Sequence, residues 1–373
     1  MRDRRQAWNA WRHSLSLANK LEYRRLDAIC ATVLADARRK AWSAFVSSLS
    51  STSSSRIWRF LSTMKGRASS FTFPLQKDGV ALLTDLSKAD FLASFFSSTL
   101  SVPVPLPALA RFKVEVIQAM AAPSPPGLSL PFTSSELSSA VSALPPRKAV
   151  GPDLVPYEFL RALPSASLDL LLEIYNQSWS SGSFPTAWKM STLLPFPKPG
   201  KDLSSPSGYR PIVLLQCVGK LLERLVCTRL RWWTESWCSL VAEQCGFHQG
   251  RGTIDVLLQL EHAIHDTYRS QGVMLALFLD ITGAFDYVSH LGILYKLSTM
   301  GVTGLPLSWF SSFLNNRTSS ISVGGAQSAP FVIRRGVPQG SVLSPLLFNV
   351  LLSDLPRPPA TSLLVYTDNL ALI

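Results

Sequence analysis

The sequence predicts an α+β fold: a helical N-terminal arm, then a longer region in which helices and strands alternate. Three observations carry this. Between Arg4 and Ser47, the residues Trp8, Trp11, Leu15, Leu26, Ile29, Val33 and Ala37 recur near helical spacing. Ala276–Asp280, read ALFLD, is a continuous apolar run ending on one carboxylate, the pattern of a fully buried strand that delivers Asp280 at its C-terminal tip. Leu363–Ile373, read LLVYTDNLALI, has two apolar runs separated by Thr367-Asp368, which suits a β-hairpin whose tip carries Asp368 and Asn369.

Taken in order, Arg4–Ser47 reads as one or two helices with Arg24-Arg25 and Arg38-Arg39-Lys40 off the apolar stripe. Ser47–Ser55 is nearly all serine and threonine, a flexible break. Arg56–Lys65 reads as a short helix, and Ser87–Thr99 as a helix with Phe91, Leu92, Phe95 and Phe96 on one face. Ala121–Pro131 is Pro-rich and is the expected domain boundary. Thr133 and Glu136 form a capping box that opens a helix to about Leu144. Arg147–Pro156 is a Gly/Pro loop and Tyr157–Ser181 is mostly helical; Ser191–Phe196 is a short strand broken by Pro195 and Pro197. A polar loop, Lys198–Tyr209, and Arg210–Leu214 lead into a helix over Gly219–Trp233. After the strand at Leu275–Asp280 come a helix over Ser289–Met300 stopped by Gly301, another over Leu307–Asn315, and a hairpin around Gly324-Gly325. Ser344-Pro345 is a cap with proline in the first turn of a helix through Leu352.

The 373 residues suggest two or three domains, and 47% hydrophobic with 16% charged content fits a chain with a real core. Net charge is +12, which predicts attraction to polyanions, nucleic acid first. Met1–Ser70 holds 14 Lys+Arg against 4 Asp+Glu, so +10 of the excess sits there. With Trp8, Trp11, Trp42 and Trp58 interleaved, that arm reads either as a nucleic-acid-binding element or as an ordinary solvated helix face. The five cysteines show no C-x-x-C, which argues against a structural zinc site or a disulfide framework. No apolar run approaches the ~18 residues of a membrane span. The start lacks a signal-peptide core, although its Arg- and Ser-rich, acid-poor composition is that of a transit peptide without a recognisable cleavage boundary. No G-x-S-x-G elbow, P-loop or H-x-x-x-H spacing is present.

Two strand tips that bring Asp280 and Asp368 together make a hard oxygen site suited to Mg²⁺. Two-metal sites of this kind run in-line displacement at phosphorus. Alone, either aspartate is equally an ordinary turn former.

These runs also carry a resemblance. FLDITGAFDYVSH, then RGVPQGSVLSPLLFNVLLSDLP, then YTDN resemble the palm of a reverse transcriptase, in the order and wording of the non-LTR (LINE-like, jockey-type) retrotransposon family. KAVGPDLVPYEFLRAL, WKMSTLLPFPKPGKD, YRPIVLLQCVGKLLERLV and EQCGFHQGRGTID are similar to that family's finger and early palm motifs. The resemblance covers about 132–373 and implies the fingers and palm of a right-hand polymerase. It implies RNA-directed DNA synthesis, with an RNA template, a DNA primer and deoxynucleotides as partners and two Mg²⁺ ions, for which Mn²⁺ can substitute. Asp280 and Asp368 would be the catalytic metal ligands. The family has a second aspartate where this chain has Asn369, whose amide offers a carbonyl oxygen but no charge. That departure predicts a damaged or slow site. Phe285 would pack under the incoming sugar, and Gln339 and Gly340 would meet the nucleotide. Arg210 and Lys198 would neutralise triphosphate or template, and Arg251 and Tyr366 would touch template or primer. Gly283 replaces a residue that is usually larger. Asp286 reads as favourable placement at a helix start, and His290 and His248 as structural.

The expected organisation is a basic helical arm over 1–70, a helical connecting region and linker over 71–131, and fingers and palm over 132–373. The thumb is expected to be absent, and the last strand to lie at an exposed edge. These features predict a fragment of an element-encoded polyprotein or a decayed copy, in the nucleus or cytoplasm. The rival reading is a catalytically inactive nucleic-acid-binding remnant.

Overall fold

A computed structural model describes residues 2–14, 16–47, 75–101, 110–236, 240, 243–248, 250–356, 358–359 and 361–373. The expected break at 47–55, the helix at 56–65 and Trp58 lie essentially outside the described residues. The chain divides into two compact units, Met1–Ser69 and Ser70–Ile373.

Among the described residues, the first unit holds two helices, α1 (Arg2–Ser14) and α2 (Leu17–Ser47). They meet through an aromatic cluster in which the Trp11 and Tyr23 rings stack at 5.7 Å and Trp8 meets Trp11 edge-on at 5.2 Å. Arg4 pairs with Asp27 at 2.6 Å across the hairpin.

The second unit opens with a two-stranded ribbon, β1 (Gln76–Lys77) and β2 (Val80–Ala81), and a helix α3 (Asp85–Leu100) capped by Thr84. Then follow α4 (Ala110–Ala121), α5 (Pro126–Ser129), α6 (Ser134–Ser142), α7 (Tyr157–Arg161) and α8 (Ser165–Ser180). The capping box at Thr133 and Glu136 forms as expected. Residues 121–131 lie inside this unit, and Val116 just before them and Leu128 within them are buried in the larger core. That core also takes Tyr175 and, around Trp309, the rings of Trp179, Phe310 and Phe313, which meet it edge-to-face or stacked.

β3 (Met190–Pro197), β4 (Tyr209–Leu214), β6 (Arg317–Val323) and β7 (Ala326–Gln327) form one sheet, with β8 (Phe331–Ile333) also on β6. The prolines do not break β3, contrary to the expectation. Pro195 sits opposite Pro211 across the antiparallel ladder, so two residues lacking N–H share a position that needs no hydrogen bond. The parallel pairing with β6 ends at Leu193, before either proline. The hairpin at Gly324-Gly325 is present as β6 and β7.

A second, three-stranded sheet carries the aspartates: β5 (Leu277–Asp280), β9 (Leu363–Tyr366) and β10 (Asn369–Leu372), in the order β5-β10-β9. Two expectations are corrected here. The final strand is the centre of this sheet, not its edge. The edge is β5, and it is exposed: Leu277, Phe278 and Leu279 keep 53%, 67% and 44% of their surface. With one neighbouring strand, its apolar faces have little to pack against among the described residues, so an apolar run alone did not mean burial.

The remaining helices are α9 (Cys217–Ser236), α10 (Thr253–Arg269), α11 (His290–Thr299), α12 (Gly304–Leu314) and α13 (Ser344–Leu351). Periodicity had not suggested α10, none of whose side chains is buried. Ser289 is the cap of α11, its hydroxyl accepting from Gly292 N–H. Ser344 does not cap α13: Leu343 occupies the cap position, and the Ser344 hydroxyl donates instead to the Pro338 carbonyl at 2.9 Å. No described helix is long and apolar enough to cross a membrane.

Candidate active site

Asp280 ends β5, and Asn369, which starts β10, is its direct partner in the antiparallel register. Asn369 is also the partner of Tyr366 on β9, so Asp280, Asn369 and Tyr366 form one cross-strand row at the sheet's end. Asp368 is the second residue of the β9–β10 turn, and its carbonyl accepts from Ile281 N–H at 3.0 Å. Both aspartates therefore reach the same end of the sheet. The Asp368 carboxylate accepts from the Thr367 hydroxyl at 2.7 Å and from the Asn369 amide at 3.3 Å, both on Oδ1. Asp280 is exposed and Asp368 half-buried.

The turn is clamped from behind. Thr367 sits at φ 58°, a conformation that β-branched residues rarely take. Buried Gln244 holds it there: its Oε1 accepts from the Thr367 N–H at 3.0 Å, and its Nε2 donates to the Thr367 carbonyl at 3.1 Å. The same Oε1 accepts from Gly246 N–H at 2.8 Å, and Asn349 donates to the Gly246 carbonyl at 2.9 Å. A Cβ on Gly246 would stand 2.5 Å from the Thr367 nitrogen, so only glycine allows this approach.

A second constellation surrounds the segment GVPQG, residues 336–340. Val337 N–H donates to the Phe285 carbonyl and Gly336 N–H to the Val288 carbonyl, both at 2.8 Å. His290 Nε2 lies 2.8 Å from the Gly336 carbonyl, and burial holds the imidazole pKa down. On the other side, Val213 N–H of β4 donates to the Gln339 carbonyl at 2.9 Å. A Cβ on Gly340 would meet the Val213 carbonyl at 2.3 Å. Fully buried Glu223 of α9 accepts from the Ser341 hydroxyl at 2.5 Å and from Val342 N–H at 2.9 Å. Burial pushes its carboxyl pKa up, opposed by Arg317.

Asp286 is not at a helix start, as expected from sequence; α11 begins at His290. It lies in the turn after β5 and accepts from Gln339 Nε2 at 2.8 Å. Burial raises its carboxyl pKa, with Gln339, Lys198 and Arg335 pulling the other way. Phe285 stacks on buried Phe348 at 5.0 Å and meets Phe247 edge-on at 6.2 Å. Lys198 is half-buried and its ammonium donates to the Ser207 carbonyl at 2.8 Å. Arg210 is exposed on β4 opposite Phe196. Arg251 is exposed and donates to the Gln244 carbonyl at 3.4 Å, which brings it beside the clamp under the turn.

Residues 196–373 match the family described as Reverse transcriptase (RNA-dependent DNA polymerase). The chain is 37% identical over 254 residues to a probable RNA-directed DNA polymerase from transposon BS of Drosophila melanogaster, and 37% identical over 236 residues to one from mobile element jockey of the same species. These alignments cover 65% and 62% of this chain. A third relative, a probable RNA-directed DNA polymerase from transposon X-element of Drosophila melanogaster, is 29% identical over 369 residues, or 95% of this chain. Residues 196–373 carry a reverse transcriptase domain, and the relatives named here come from transposons and mobile elements. The chain spans 28%, 26% and 39% of the length of these relatives.

In this reverse transcriptase domain, the donor set at the sheet's end is two carboxylates and one amide. Hard oxygen ligands of that kind fit Mg²⁺ or Mn²⁺. Among the described residues no group of three or more His, Cys, Asp or Glu is placed to hold a metal ion. Sequence reasoning had no roles for Gln244, Gly246, Asn349, Glu223 and Arg335. Their partners lie far off in the chain, and only the glycine in EQCGF hinted at a close backbone approach.

Proposed function

We propose that this chain derives from, and belongs to, the catalytic part of an RNA-directed DNA polymerase that extends a DNA primer on an RNA template. The supporting observation is the register that pairs Asn369 with Asp280 and sets Asp368 at the adjoining turn. Asp280 and Asp368 would hold the divalent cations, with Asn369 offering its carbonyl oxygen as a third, uncharged ligand. When bound, the ions would lower the pKa of the primer 3′-hydroxyl and offset charge on the leaving pyrophosphate.

The chain's own residues do the rest. Phe285, braced by Phe348 and Phe247, would form the floor beneath the incoming sugar. Gln339 and Gly340, anchored on β4, would face the nucleotide. Lys198 and Arg210 would meet the triphosphate or template with point-charge and forked contacts respectively. Arg251 and Tyr366 would line template or primer. The basic, tryptophan-bearing arm would add sequence-independent affinity for nucleic acid.

A second reading has its own support. The Asn369 amide donates to Asp368, using a lone pair that a cation needs, and leaves the cluster one charge short. The unaltered chain would then bind nucleic acid with little synthesis. Primer extension on poly(rA)/oligo(dT) with Mg²⁺ or Mn²⁺ separates the two. Asn369→Asp is expected to raise Mg²⁺-dependent extension by about tenfold or more, the effect of one charged ligand contact. Full extension by the unaltered chain would refute impairment. No extension by either chain, with salt-dependent RNA binding retained, would leave the binding remnant.

A further inference from the structure

We propose that Asp286 is a positioning residue that fixes the amide orientation of Gln339 for nucleotide binding, an inference that rests on the polymerase reading above. Gln339 is held at both ends. Its backbone carbonyl accepts from Val213 N–H at 2.9 Å, and Gly340 beside it lies against the Val213 carbonyl. Its side-chain Nε2 donates to Asp286 Oδ1 at 2.8 Å.

An ionised carboxylate only accepts, so this bond decides which end of the amide faces inward. The nitrogen turns to Asp286, leaving Oε1 and one N–H for a ligand. Asp286 is itself immobilised. Its N–H donates to the Gly283 carbonyl at 2.8 Å, and flanking residues 285 and 288 accept from Val337 and Gly336. Burial raises its carboxyl pKa, while the Gln339 bond, Lys198 and Arg335 pull the other way. A carboxylate this sheltered, spent on one glutamine of the nucleotide-facing segment, has an orienting task that neither helix capping nor surface solvation accounts for. Without it, Gln339 keeps its backbone place but its amide rotates freely, and the bound nucleotide must then order it.

Two arms test this, in the full chain and in the full chain carrying Asn369→Asp. The first needs no activity: side-chain amide hydrogen exchange of Gln339 by NMR, assigned with Gln339→Glu. Exchange is expected to be slowed in the parent and in Asp286→Asn, which keeps an acceptor of the same shape, and fast in Asp286→Leu. The second arm is steady-state extension in the Asn369→Asp chain. There, Asp286→Leu is expected to raise KM for the deoxynucleotide about tenfold with a much smaller change in kcat, the fold-change of one hydrogen bond to a charged group. Asp286→Asn should recover most of that loss. Equal Gln339 exchange in parent and Asp286→Leu overturns the proposal, as does an unchanged KM in a chain that extends primers. If neither background extends any primer, the polymerase reading falls by itself, and the exchange arm still decides whether Asp286 holds the amide.

Discussion

Three residues bring the putting-together of the tip down to single contacts: Thr367, Gln244 and Gly246. Thr367 takes a backbone conformation that costs a β-branched residue of order 1–3 kcal/mol, and the Gln244 side chain offsets it with two hydrogen bonds to the turn. Gly246 makes room for that contact. Gly246→Ala is therefore expected to destabilise the domain by about 1–3 kcal/mol through forced displacement of the turn, seen as a lower midpoint in thermal denaturation. An unchanged midpoint would mean the turn relaxes away from 246 without loss. Asp280, Asp368 and Asn369 were readable from sequence because a strand end and a hairpin tip announce themselves locally. The clamp was not, since Gln244 lies more than a hundred residues from its partner.

Among the elements, α11 does more than fill the core. Its first residue, His290, is buried and grips the Gly336 carbonyl. Burial lowers its folded pKa below the ordinary 6.5. The unfolded chain therefore takes up a proton at a pH where the folded one does not. The stability this neutral imidazole contributes is present above about pH 6.5 and is lost as pH falls below it toward the folded value. His248 is lowered in the same direction, chiefly by burial, and acts in the same window. His290→Gln is expected to flatten, without abolishing, the loss of stability on acidification below 6.5, as measured by denaturant midpoints across pH. A pH dependence identical to the parent would show that the loop is not held through this ring. The capping residue Thr133 and the glycine stop at 301 behaved as their local chemistry predicts. The strand at β3 did not, because proline's missing donor matters only where the ladder needs one.

For the whole molecule, charge is the feature with the longest reach. Fourteen Lys+Arg against four Asp+Glu sit in the first unit, so the larger unit is close to neutral in bulk. Binding of RNA by the full chain is expected to weaken steeply with salt. A chain lacking residues 1–69 should show a log–log slope shallower by about two or more, corresponding to several lost phosphate contacts. Equal slopes would place the nucleic-acid contacts in the larger unit instead.

The α+β class, the placement of Asp280 at a strand end and of Asp368 and Asn369 at a hairpin tip, and most helix boundaries followed from sequence alone, because apolar period, caps and turn chemistry act within a few residues. Tertiary structure decided what depends on distant partners. It made β10 the centre of its sheet and β5 an exposed edge, it turned Asp286 toward Gln339, and it buried Glu223 behind the 336–341 segment. A strand's neighbours and a carboxylate's hydrogen-bond donors come from elsewhere in the chain, and local patterning carries no record of them.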